Sequence, residues 1–225
     1  MSSSSSLLRY HRIAVSRVDG PGERAVLWTQ GCPIHCPGCQ NRHLWDPAGG
    51  RDGHPFWLAM RLATLNLPVT ITGGEPFYQP EALAELLSTL RALRPGVEIL
   101  VYSGYTLGTL LSTGYTRGPL ASVAAMPSTG DAPAIGDALA LIDVLVDGPY
   151  VAAEDHDALQ YRGSANQRAL DLPATLAALE PVELDWDTPR LTITREGDVL
   201  AAAALLEPYL TLGQLRDHRR CGQVD

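Results

Sequence analysis

Lysine is missing from this 225-residue chain: all 17 basic residues are arginine. That absence excludes two chemistries, because a phosphate-binding P-loop needs its lysine and a Schiff-base enzyme needs a lysine amine. The patterns G-x-G-x-x-G and G-x-S-x-G are absent too. No stretch reaches the roughly 18 apolar residues of a membrane-spanning helix. The start, MSSSSSLLRYHR, lacks the basic segment and apolar run of a secretory signal. Its serine run reads as a disordered tail over residues 1–10. Positive charge is scarce overall, with a formal net charge of -8, and so acidic a chain is a poor wrapper of nucleic acid. The expectation is a soluble, cytoplasmic protein with no nucleic-acid and no membrane partner. Cysteine is sparse as well, at four residues, too few and too unevenly spaced for a secreted disulfide scaffold.

What is present is an alternation of strands and helices. AVLWTQ (25–30) reads as a buried strand, and residues 54–65 read as a helix with Pro55 in its first turn. VTIT (69–72) is a second strand, ending in Gly73-Gly74. PEALAELLSTLRAL then places Leu83, Leu86, Leu87, Leu90 and Leu93 on one helical face. VEILVY (97–102) and DVLV (143–146) are further strands, and residues 173–180 a short helix. The stretch 113–136, rich in Ala, Gly, Pro and Ser, reads as loop with some helix, and LTITREGDVLAAA as a hairpin. This order predicts an α/β fold with a mostly parallel sheet. The domain reading is a core over 11–170 and a small C-terminal hairpin/helix extension over 171–225, packed on the core. Four unusual stretches, GCPIHCPGC, GGEP, SGYT and DGPY, each follow a predicted strand. In a parallel sheet all four emerge at the carboxyl edge, where α/β folds build their sites.

Three of the four cysteines, Cys32, Cys36 and Cys39, stand within nine residues. Thiolates select zinc, copper(I) or iron–sulfur clusters. A closed zinc site would have to recruit Cys221, His35 or His43 as fourth ligand. An iron–sulfur cluster on three thiolates leaves one iron open to a small molecule. The spacing and the strand-end position favour the cluster. Unligated core cysteines are the third reading, and the neighbouring Pro, His and Gly speak against it.

The Cys-x-x-x-Cys-x-x-Cys loop after the first strand resembles the signature of the radical S-adenosylmethionine (SAM) enzymes. The wider stretch VDGPGERAVLWTQGCPIHCPGCQN, with SGYT, DVLVDGPY and RGSANQR, resembles the activases of glycyl-radical enzymes, above all those of anaerobic ribonucleotide reductase. The likeness spans about residues 10 to 170. It implies a partial (β/α) barrel of the radical SAM type. It implies a [4Fe–4S] cluster on Cys32, Cys36 and Cys39, with SAM chelated by the remaining iron and cleaved reductively to a 5′-deoxyadenosyl radical. The partners it implies are a glycyl-radical reductase subunit, which loses a glycine hydrogen atom, and a flavodoxin- or ferredoxin-like electron donor. Cluster and SAM then carry the chemistry, with no side-chain acid or base.

By the same resemblance, Gly73, Gly74 and Glu75 line the methionine end of SAM, with Glu75 accepting from its ammonium. Gly38 and Gln40 flank the adenine, and Gln40 departs from the aromatic residue or His frequent there. Ser103 and Tyr105 are candidates for the ribose, and Arg24 for the SAM carboxylate or the partner. Arg162, Asn166 and Arg168 are candidates for organising SAM or docking the partner. Read without the resemblance, GGEP and SGYT are strand-end turns, and RGSANQR a solvated loop. A small radical SAM enzyme acting directly on a peptide or metabolite is the alternative function. Cys221 reads as a tail thiol.

Overall fold

The structure is a computed structural model that describes residues 7–113 and 132–186. Its strands are β1 (Leu8–Ser16), β2 (Arg24–Thr29), β3 (Arg51–Gly53), β4 (Val69–Gly73), β5 (Ile99–Ser103), β6 (Val144–Asp147) and β7 (Arg168–Asp171). Its helices are α1 (Pro55–Thr64), α2 (Pro80–Leu93), α3 (Leu107–Thr113), α4 (Ala132–Leu139) and α5 (Leu172–Ala178). The seven strands form one open sheet in the order β3-β1-β2-β4-β5-β6-β7. The four strands expected from sequence are its parallel centre, β2, β4, β5 and β6. The edges are antiparallel: β1 on β2, β3 on β1, and β7 on β6.

Alternation along the central strands separates the two faces. Ala25, Leu27, Val69, Ile71, Ile99, Val101 and Leu145 point to the helical side and join the main core. There α1 lies on α2, and α2 on α4. Pro55 and Pro80 start their helices where a missing N–H costs nothing. The leucines of α2 behave as their spacing predicts up to Leu90: Leu83, Leu86, Leu87 and Leu90 are fully buried. Leu93 is a correction, being 41% exposed. It is the last helical residue, and the chain leaves the helix at Arg94 before anything covers it.

The proposed tail boundary is corrected as well. Leu8, Arg9 and Tyr10 are strand, paired with Gly53, Asp52 and Arg51, and Leu8 is fully buried. Beyond β7 the chain returns to the sheet, with Leu184 N–H donating to Ala169 O (2.7 Å) and Asp171 N–H to Val182 O (2.9 Å). The compact unit therefore ends at Leu184, and residues 185–225 form a second unit. The hairpin expected at 191–203 lies outside the described residues, as does Cys221.

Candidate active site

At the end of β2 the chain turns through Gly31 into the cysteine loop. Gly31 N–H donates to Leu44 O (2.8 Å) and Cys32 N–H to Trp45 O (3.1 Å), which closes the loop on its own returning segment. That segment is held from below by Gln30, whose buried amide donates to Asp46 O (2.8 Å) and His43 O (3.3 Å). The turn after β4 lies directly against it. Gly74 N–H donates to Thr29 O (3.0 Å) and Glu75 N–H to Gly31 O (2.8 Å). A Cβ on Gly74 would stand 2.3 Å from Gly31 O, and one on Gly73 (φ +108°) would stand 2.7 Å from Thr29 N. The two glycines are thus required by backbone meeting backbone, a closer demand than the approach of a ligand.

Glu75 binds this wall to the end of β5. It is 1% exposed. Oε1 accepts from Phe77 N–H (3.0 Å) and from the Ser103 hydroxyl (3.0 Å), and Oε2 from Gly104 N–H (2.8 Å). Burial pushes its carboxyl up to about 7, against these three hydrogen bonds, which favour the charged form.

The fourth strand end, that of β6, is organised by two stretches acting together. Asp147, the last residue of β6, is 1% exposed. It accepts from Arg168 Nε (2.9 Å) and Nη2 (2.5 Å), and from Leu107 N–H at the start of α3 (2.7 Å). Asn166 donates to Pro149 O (2.8 Å) and Gln167 to Gly148 O (2.9 Å), while buried Ser164 accepts from Val151 N–H (3.1 Å). RGSANQR is therefore a strap on the DGPY stretch, and Arg168 belongs to β7.

Between these walls lies a cavity of about 470 Å³, lined by Cys32, Cys36, Cys39, Gly74, Glu75 and Tyr150 among others. It runs along the sheet face opposite the helices, past Thr72 and Tyr102, to Asp19. Gly38, Gln40, Gly73, Ser103 and Arg162 also line it. Asn166, one residue outside the lining, is turned to Pro149. Three further candidates are not brought to the cavity. Arg168 is paired with Asp147. Tyr105 is buried in the helical-side core. Arg24 is 1% exposed at the amino end of β2, where it donates to Thr70 Oγ1 (2.7 Å), Val69 O (2.9 Å) and Glu98 (2.6 Å). A guanidinium tied across the amino ends of three strands cannot reach a ligand at their carboxyl ends. Sequence reasoning missed Gln30, Ser164, Gln167 and Asp147. Asp147 carried a signal as the first residue of DGPY, and Ser164 and Gln167 as members of RGSANQR; Gln30 carried none.

Each cysteine sulfur faces backbone N–H groups: Cys32 those of Ile34 and His35, Cys36 that of Tyr150, and Cys39 that of Asn41 (3.4 Å). Such donors stabilise negative sulfur. Burial pushes the Cys32 thiol up to about 11 and raises that of Cys36, so binding a metal there releases protons.

A family model, a 4Fe-4S single cluster domain, matches residues 18–170. Over 173 residues the chain is 34% identical to the anaerobic ribonucleoside-triphosphate reductase-activating protein of Salmonella typhi, covering 71% of this chain and 96% of that protein. This chain belongs to that family of activating proteins. It is also 37% identical over 87 residues to the pyruvate formate-lyase-activating enzyme of Clostridium pasteurianum, covering 35% of this chain and 37% of that one. The solved structure of QueE from Escherichia coli superposes with a TM-score of 0.37 at 18% identity, over 44% of this chain and 54% of its own.

Family membership brings a [4Fe–4S] cluster and SAM, and the residues present fit both. The three thiols are free and share one cavity wall. The histidines offered as zinc ligands are engaged with other rings: His35 stacks on Trp45 at 4.6 Å, and His43 meets His11 edge-on at 5.3 Å.

Proposed function

We propose that this protein installs the glycyl radical of an anaerobic ribonucleoside-triphosphate reductase, in the cytoplasm, with electrons from a flavodoxin- or ferredoxin-like donor. The observation that carries the reading is the joining of the Cys32–Cys39 loop and the Gly73–Glu75 turn into one wall of one cavity. When bound, the cluster and SAM supply reductive cleavage of the sulfonium and abstraction of a glycine hydrogen atom. Cys32, Cys36 and Cys39 would hold the cluster by their three thiolates. Gly73, Gly74 and Glu75 shape the methionine end, Gly38 and Gln40 the adenine end, and Ser103 aligns Glu75. Arg168 acts at one remove, by fixing Asp147 and the strand end that carries Tyr150. Among the described residues no α-helix covers the cavity side of the sheet, which supports a role for the reductase in excluding water.

Anaerobic reconstitution tests this. The protein is expected to take up about four irons per chain, to form 5′-deoxyadenosine from SAM under dithionite, and to give a glycyl-radical doublet in the EPR spectrum of an added reductase. Cys36→Ala is expected to lose the cluster and all three responses. Stoichiometric zinc without SAM cleavage overturns the reading. Hydrogen-atom transfer from a short peptide or metabolite, with no radical on the reductase, replaces it by direct modification.

A further inference from the structure

Reductive cleavage consumes an electron that must come from another protein, and the surface beside the cysteine loop is built to receive one. Between residues 8 and 53 the chain carries six arginines against four acidic residues, although its net charge is -8. Arg12, Arg42 and Arg51 are exposed there, together with His43. Each arginine rests on a ring: Arg12 lies 4.4 Å from the centroid of Trp28, Arg51 5.7 Å from Tyr10, and Arg42 5.8 Å from Trp45. The edge contact of His11 and His43 joins the strand and loop sides of the patch. Among the described residues none of the three arginines has an ion-pair partner; neighbouring Asp52 is taken by Arg9 (2.8 Å). Asp46, the other acid nearby, is turned to Ala48 N–H (2.8 Å). Stacking orders these guanidiniums while leaving their N–H donors unused.

The Arg42 end of the patch is one aromatic layer from the thiols. Arg42 follows Cys39 by three residues, and the Asn41 N–H between them points at the Cys39 sulfur. His35, next to Cys36, holds a left-handed backbone (φ 51°) and stacks at 22° on Trp45, whose other contact is Arg42. Yet none of Arg12, Arg42, His43 or Arg51 lines the cavity. The far lip is acidic and exposed, at Glu154, Asp155 and Asp157. A substrate protein must enter the cavity, whereas an electron carrier needs only the outer edge of the cysteine loop.

We infer that Arg12, Arg42, Arg51 and His43 form the docking surface for a small acidic one-electron carrier protein, which donates over Trp45 and His35. One electron leaves the carrier, which is oxidised by one unit, and is accepted at the cysteine-loop site; no proton or group crosses. The inference rests on the activase reading.

Reduced flavodoxin is the probe, with dithionite as the reductant that needs no docking. The triple variant Arg12→Glu/Arg42→Glu/Arg51→Glu is expected to raise the KM for flavodoxin about tenfold or more, with dithionite-driven 5′-deoxyadenosine formation and iron content unchanged. The milder triple Arg→Gln variant moves the KM the same way by less. Calorimetric binding of oxidised flavodoxin, which needs no turnover, is expected to weaken with salt in the unaltered protein and to be weak and salt-insensitive in the variants. An unchanged flavodoxin KM and dissociation constant overturns the proposal. So does loss of reductase activation under dithionite with flavodoxin affinity intact, which gives the patch to the reductase. Absence of dithionite-driven cleavage in the unaltered protein overturns the activase reading instead, while the binding titration still decides the patch.

Discussion

Glu75 is a buried carboxylate whose every partner is a donor from the protein itself. Its folded value, about 7, stands above the ordinary 4.5, so the folded state holds the proton more tightly. The stability this contributes is complete below 4.5 and is lost as pH rises through about 7. Thermal unfolding of the unaltered protein is expected to move to lower temperature across that window, and Glu75→Gln to remove that part of the slope. The same variant is expected to cost about 1–3 kcal/mol at low pH, because one amide group then faces the Gly104 N–H, donor against donor. A slope equal in both proteins counts against the assignment. Gly74 is the sharper mechanical test. Its added Cβ would stand 2.3 Å from Gly31 O, backbone that cannot rotate away. Gly74→Ala is expected to destabilise by about 2–3 kcal/mol and to impair cluster uptake, both readable by denaturation and iron analysis.

Among the elements, β6, β7 and α3 are joined through one side chain, Asp147. Asp147→Asn leaves the Arg168 guanidinium, a third exposed, without its anion. The expected cost is about 2 kcal/mol, the upper range for a broken buried pair being reduced by that exposure. Hydrogen exchange at residues 148–151 and 164–167 is expected to quicken, with the core of α2 unaffected. Equal exchange throughout would show the strap to be independent of the pair. Strand ends of this kind were only half legible in the sequence. VTIT, VEILVY and DVLV announce themselves because both faces are covered or half-covered and β-branched residues dominate. β1 does not, since RYHRIAVS is half exposed and takes its partners from residues 24–29 and 51–53. β3 and β7, RDG and RALD, are as short as β6 or shorter and carry no β-branched residue to mark them as strands.

At the scale of the whole molecule, the sequence disclosed which stretches meet but not what each contributes. The rule that parallel strands deliver their loops to one edge is enough to bring the cysteine loop, GGEP, SGYT and DGPY to one rim. Side-chain destinations escaped it. Arg24 and Arg168 look like ligand-binding arginines because charge in a glycine-rich turn is ordinarily exposed; both are spent on neighbouring strands. Ser103 lines the cavity, but its hydroxyl is turned to Glu75.

The cysteine loop is closed by four backbone hydrogen bonds of its own and of its neighbours: Gly31 to Leu44, Cys32 to Trp45, Cys39 to Cys36, and Glu75 to Gly31. A zinc finger owes its shape to its metal and collapses under a chelator. Here the mould is braced from outside the casting. Stripping the cluster with a chelator is therefore expected to leave the Gly31, Cys32 and Glu75 amides slow to exchange with solvent, whereas fast exchange at all three would show that the metal shapes the loop.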